Sequence, residues 1–175
     1  MEKMYRSKYE AYSFLSDKPN DLRCDFELLT DELASFTGFL QSQTDNNDIK
    51  ADLGFICNMI YHINPSLRTF TSITPQELEK LEQMVKHLQK HITSPTKGFV
   101  LPMGCKNAAL AHVLRAKSKA VVRLLYCHAY QGHKVDEILL DFTNLLSGYF
   151  FFLALRFNVI AGVCEVVYAS RNYMN

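Results

Sequence analysis

Apolar residues recur at three- and four-residue steps along most of the chain. Between residue 21 and about residue 43, Leu22, Phe26, Leu29, Leu33, Phe36 and Leu40 fall on one face and predict a first helix. The polar run at residues 42–47 reads as a loop, and a second helix follows from Asp48 to about His62, closed by Pro65. Thr74, Pro75 and Glu77 form a helix-opening signature, with a hydroxyl N-cap, a proline at the first helical position and a glutamate closing a capping box. Leu78, Leu81, Val85, Leu88 and Ile92 give that third helix its buried stripe, and the stretch from Ser94 to Gly98 ends it. Phe99 to Pro102 is held extended by its proline. A long fourth helix is expected over residues 107–130, stopped by Gly132. A fifth, over residues 134–159, is apolar around most of its circumference and belongs at the centre of a bundle. Gly162 marks a break before a tail rich in Val and Tyr. Five helices with mostly short connections predict an all-α, five-helix antiparallel bundle.

Composition narrows this picture without naming a function. The chain has 175 residues, of which 48% are apolar and 21% charged, so one globular domain over residues 1–175 is expected. Seven Gly and five Pro are too few for a many-turned β protein. A net charge of +1 provides no field for nucleic acid or an anionic membrane, and neither is expected as a partner. The five cysteines are odd in number and include no C-x-x-C pair, which favours reduced thiols and a cytoplasmic location. No apolar signal core follows the charged N-terminal residues. The greasiest run, residues 142–155, is shorter than a membrane span and reads as a buried helix. Nine Tyr and twelve Phe, with no Trp, leave much ring surface to place.

Candidate chemistry is sparse. Cys127, His128 and His133 lie near the end of the fourth helix, but adjacent helical residues point about 100° apart and no second cluster supplies further ligands. A structural or surface role is expected, and no metal site is assigned. His87 and His91 have chelating spacing, yet they stand beside Lys86 and Lys90 on what reads as a solvated side. A di-iron bundle would need Glu-x-x-His twice, and that pattern is missing, as are the P-loop, the dinucleotide fingerprint and H-E-x-x-H. Arg115, Lys119 and Arg123, four residues apart in turn, form one basic stripe. Spacing alone leaves open a phosphate-binding face or an ordinary solvated edge. Asn144 and Ser147, polar groups on an apolar helix, need partners or face a ligand.

One segment is more specific. Gly98-Phe99-Val100-Leu101-Pro102-Met103-Gly104 resembles the G-F-V-L-P-G-G segment of the propanediol-utilisation type ATP:cob(I)alamin adenosyltransferases. The family's following helix, A-L-L-H-x-A-R, is similar to Ala109-Leu110-Ala111-His112-Val113-Leu114-Arg115. Its L-N-R-L-S-D-Y-L-F is similar to the stretch from Thr143 to Phe151, and its L-D-E-L-N-S-x-I-G to the stretch from Thr30 to Gly38. The resemblance runs in order over about residues 18–160.

The resemblance implies a trimer of five-helix bundles with active sites between subunits. There the cobalt of a reduced corrinoid would attack the 5′ carbon of ATP and release triphosphate, with Mg accompanying the nucleotide. It implies that Phe99 packs under the corrin ring and helps exclude a lower axial ligand. Asp31 pairs with Arg115 across the subunit interface. Lys18, Arg23, Lys119 and Arg123 face the nucleotide, and Phe99, Arg115 and Asn144 are the residues tied most closely to the reaction.

The departures are equally specific. The family's N-terminal glycine loop, which wraps the triphosphate, has no counterpart, since residues 1–17 contain no glycine. The family's R-R-A-E-R cluster has become Lys119-Ala120-Val121-Val122-Arg123, and the Arg and Asp of N-R-L-S-D have become Leu145 and Gly148. A lysine cannot reproduce a bidentate guanidinium grip. Losses gather on the nucleotide side. Three readings follow: an adenosyltransferase that grips ATP differently, a bundle that binds or delivers a corrinoid without adenosylating it, or a repurposed bundle that binds another ligand.

Overall fold

The computed structural model describes residues 4–12, 14–92 and 99–172. Five helices carry the fold: α1 (Leu22–Gln43), α2 (Asn47–Ile63), α3 (Pro75–Lys90), α4 (Lys106–Tyr130) and α5 (Glu137–Ala161). Two short strands, β1 (Phe99–Val100) and β2 (Val167–Tyr168), pair antiparallel. The all-α bundle expected from the pattern is the fold observed. The segment from Ser94 to Gly98 lies outside the described residues.

Side-chain caps set where the helices begin. Asp21 accepts from the Arg23 backbone N–H at the head of α1, and the Thr74–Glu77 capping box opens α3 as the sequence predicts. Asn46 accepts from the Ile49 N–H at 3.0 Å, so α2 starts inside the stretch expected as loop. At the other boundaries the differences are small. The fifth helix starts at Glu137 rather than Lys134, because Lys134 and Asp136 pair with each other at 3.0 Å ahead of it. Ile92, expected on the α3 stripe, falls just past the helix end.

Successive helices alternate in direction. Asn107 reaches the Gln43 carbonyl at one end of α1, and His128 approaches Asp21 at the other, so α1 and α4 are antiparallel. α3 and α5 are parallel neighbours: Leu78 lies near Asp141, and the Arg156 guanidinium reaches the His91 carbonyl at the far end. α5 packs on both α4 and α3. It brings Phe142, Leu146, Tyr149, Phe150 and Leu153 into the core against Phe26, Leu53, Leu81 and Leu114. By length and composition alone this helix could cross a membrane, and half of its most apolar window is buried inside the bundle. It is longer than the run at residues 142–155 because the helix continues past Asp141 at one end and past Arg156 at the other.

Candidate functional site

Phe99 sits on the strand ribbon at the end of the bundle where α4 begins and α5 finishes. Its side chain is 77% exposed, and it pairs with Tyr168 across the ribbon. Directly paired strand residues project to the same face, so the two rings share one surface. The ribbon is fixed by Asn158, which is fully buried on α5. The Asn158 Oδ1 accepts from the Cys105 N–H at 2.9 Å, and its Nδ2 donates to the Glu165 carboxylate at 2.9 Å and to the Met103 carbonyl at 3.3 Å. Gly104, at φ 135°, lies against that amide so closely that a Cβ there would overlap it. This explains the last glycine of the motif: the backbone must both turn and touch Asn158. The sequence reading did not single out Asn158, since two of its three partners, Cys105 and Met103, lie more than fifty residues away.

Arg115 lies on α4, half-buried, and among the described residues its Nε lacks a hydrogen-bond partner. Its neighbour His112 is buried, and among the described residues neither ring nitrogen has a partner. Burial, and then the Arg115 charge, push the His112 pKa down to about 4. Lys119 and Arg123 continue the same face of α4 and are exposed. Lys117, off that line, is the α4 cation that joins α1, through Glu32 at 2.6 Å. Asp31 is exposed on α1 and accepts from the Tyr61 hydroxyl at 2.8 Å. Among the described residues no hydrogen bond or ion pair joins Asp31 to Arg115 within the chain.

Lys18 and Arg23 do come together. Both line a cleft of about 400 Å³ at the α1 N-terminus, closed on its other side by His128 and His133. Arg23 is engaged there by Asp21 through its Nε and Nη2, and this hydrogen-bonded pairing holds the Asp21 carboxyl well below the usual range. Asn144 opens elsewhere, into a shallow groove of about 560 Å³ between α3 and α5, and its amide donates to the Leu140 carbonyl. Gly148 and Leu145 line the same groove. Within one chain, then, the α4 stripe, the Lys18–Arg23 cleft, the Asn144 groove and Phe99 are four separate places.

His87, on α3, and His91, its C-cap, lie exposed with rings 4.5 Å apart. Among the described residues no group of three His, Cys, Asp or Glu side chains could hold a metal ion. All five cysteines are free thiols.

The cobalamin adenosyltransferase family model matches residues 18–157. The chain belongs to that family. Among its relatives is a corrinoid adenosyltransferase of Bacillus subtilis (strain 168), 29% identical over 159 residues, covering 85% of this chain and 81% of the relative. Solved structures with the same fold include variants of the PduO-type ATP:corrinoid adenosyltransferase from Lactobacillus reuteri. A phenylalanine-to-alanine variant complexed with cobalamin and ATP superposes with a TM-score of 0.78 at 22% identity, covering 86% of this chain and 88% of the other. An arginine-to-lysine variant complexed with ATP gives a TM-score of 0.76 at 23% identity, with the same coverage of both chains. At these identities the likeness establishes the fold. In this family member the segment before α1 is fastened to the bundle by a charged clamp. Arg68 pairs with Asp17 at 2.7 Å and with buried Glu27 at 2.6 Å, and its guanidinium lies 3.7 Å from the Phe14 ring centre. That clamp ties Phe14 and Asp17 to the α1–α2 end of the bundle, and neither Arg68 nor Glu27 was legible as part of any motif.

Proposed function

We propose that the protein is a cytoplasmic ATP:corrinoid adenosyltransferase that works as a homotrimer of single-domain subunits. It transfers the 5′-deoxyadenosyl group of ATP to the cobalt of cob(I)alamin and releases triphosphate. The observation that carries this reading is Phe99, an aromatic ring left exposed on a ribbon that a buried asparagine holds rigid. An exposed ring on a fixed backbone is a platform for a flat apolar partner such as a corrin face. With the ring beneath the cobalt, water and a lower ligand are kept away. The metal centre of the substrate is then easier to reduce to its nucleophilic state.

The nucleotide is held by cations. Lys18, Arg23, Lys119 and Arg123 supply positive charge for the triphosphate, and Asn144 offers amide donors from α5. Lysine at position 119 is a point charge rather than a fork, so the grip is weaker in geometry than an arginine's. Mg enters as the counter-ion of the phosphates, and no step is assigned to it. Arg115, with an unpartnered buried Nε, and Asp31, exposed on α1, are suited to pair between copies. Tyr61 would then orient the Asp31 carboxylate.

A second reading is favoured by the N-terminal clamp: a corrinoid carrier that no longer binds ATP, with the segment before α1 fastened by Arg68 instead of wrapping phosphate. One experiment separates the two. Purified protein is mixed with ATP and chemically reduced cobalamin, and the visible spectrum is followed for carbon–cobalt bond formation. The enzyme reading expects adenosylcobalamin to accumulate. Bound four-coordinate cob(II)alamin without product would establish the carrier, and the absence of any corrinoid binding would refute both.

A further inference from the structure

The end of α4 is shaped in a way that the basic stripe and the family motifs leave unused. Gly132, at φ 90°, follows the last turn, and two backbone bonds close it: the Gly132 N–H to the Ala129 carbonyl at 2.9 Å and the His133 N–H to the His128 carbonyl at 3.4 Å. This is the Schellman arrangement, which brings the residue two past the cap back onto the last helical turn. An apolar contact ordinarily fills that position. Here it is filled by two imidazoles, His133 over His128, with ring centres 4.3 Å apart and planes 18° from parallel.

Both rings line the cleft that contains Lys18 and Arg23. His128 is only 5% exposed, and among the described residues its Nδ1 has no hydrogen-bond partner. A buried imidazole nitrogen without a partner, in the wall of a cleft, lacks one acceptor or donor. The charges facing it are few. Asp21 and Arg23, from the head of α1, neutralise each other, and among the described residues no carboxylate pairs with Lys18, from the segment before α1. Leu67, from the α2–α3 connection, adds no charge. Burial holds the His128 pKa below its ordinary value, reinforced by His133 and Arg23 and opposed by Asp21.

We propose that the stacked His128 and His133 imidazoles complete a polyphosphate-binding site with Lys18 and Arg23, taking up one proton when the anion binds. Two adjacent imidazoles repel a second proton, so the pair acts as a unit carrying a single positive charge. That charge stands opposite the anion, and the imidazole N–H groups donate to phosphate oxygens. The pair thus replaces part of the positive charge lost from the α4 stripe, and it makes phosphate binding stronger as pH falls. The inference rests on the adenosyltransferase reading for the identity of its ligand, the triphosphate of ATP. Its chemistry concerns the phosphates alone.

Titration calorimetry with ATP and with inorganic tripolyphosphate, at about pH 6 and about pH 8, tests it on the intact protein and on His133→Ala. His133 is exposed, so the variant keeps the bundle, which a circular dichroism spectrum verifies. Comparing variant with wild type at each pH cancels the ligand's own titration. We expect His133→Ala to bind both ligands about 10-fold more weakly at the lower pH and within about 2-fold of wild type at the higher one. Lys18→Ala should weaken binding at both. Equal binding by His133→Ala and wild type at both pH values would overturn the inference while leaving ATP binding intact. An effect on ATP alone, with tripolyphosphate unaffected, would assign the rings to the nucleoside and overturn the phosphate assignment. Failure of the wild type to bind ATP would overturn the adenosyltransferase reading, and failure to bind either ligand would overturn this inference with it.

Discussion

A histidine whose two ring nitrogens are both buried without partners, as those of His112 are, is folded in its neutral form. Its pKa of about 4 lies below the ordinary histidine value, so between the two values the unfolded chain binds a proton that the native protein refuses. Stability from this residue is therefore complete above about pH 6.5 and is lost as pH falls toward 4. By about pH 5 the loss should reach about 2 kcal/mol. Urea unfolding at about pH 7 and about pH 5 checks this: His112→Leu should lose clearly less stability than wild type over that interval. Parallel losses in the two proteins would show that His112 is not the group responsible. Glu27 meets burial by the opposite route. It is paired with Arg68, whose own charge burial works against but whose bonds to Glu27 and Asp17 more than restore, so the pKa of Arg68 is raised overall.

At the scale of elements, the ribbon carrying Phe99 depends on one side chain of another helix. Asn158→Ala removes three hydrogen bonds from a buried position and leaves the Cys105 N–H and Met103 carbonyl to find new partners. We expect a cost of about 2–3 kcal/mol in unfolding free energy. The Phe99 platform should also loosen, so that corrinoid binding weakens severalfold while ATP binding does not change. Unaltered corrinoid affinity in a folded Asn158→Ala protein would detach the latch from the platform. This element also marks where sequence reasoning ran short. The five helices were legible because stripes such as Leu22-Phe26-Leu29-Leu33 and the Thr74–Glu77 box are local signals. The pairing of Phe99 with Tyr168 joins two-residue strands far apart in the chain, and nothing local encodes it. His128 and His133 were visible as residues but not as a stack, because the stack depends on the φ of Gly132. The candidate residues were mostly placed on the correct helices. Which of them share a cleft was settled by tertiary geometry, as with Lys18 and Arg23.

At the scale of the whole molecule, the distance between Phe99 and the Lys18–Arg23 cleft decides how a working site must be composed. Phe99 precedes the N-terminus of α4, and the cleft lies at its C-terminus, beside His128. The 25 residues of that helix span about 37 Å, well beyond the reach of a single nucleotide. If the corrin platform and the phosphate-binding cations serve one reaction, they must come from different copies, and a closed ring of subunits joins one end of each bundle to the other end of its neighbour. Asp31 and Arg115, unpaired with each other inside the chain, are then the contacts that set the register of the ring. Mixing subunits tests this composition directly. The Phe99→Ala and Arg23→Ala proteins, each expected to be deficient in adenosylation, are dissociated into subunits, mixed in equal amounts and reassembled. Random assembly into a ring places an intact cleft beside an intact platform in about a quarter of the sites. Adenosylation should recover toward that fraction of wild-type activity. Sites built within single chains would recover nothing on mixing, since every chain would still carry its own defect.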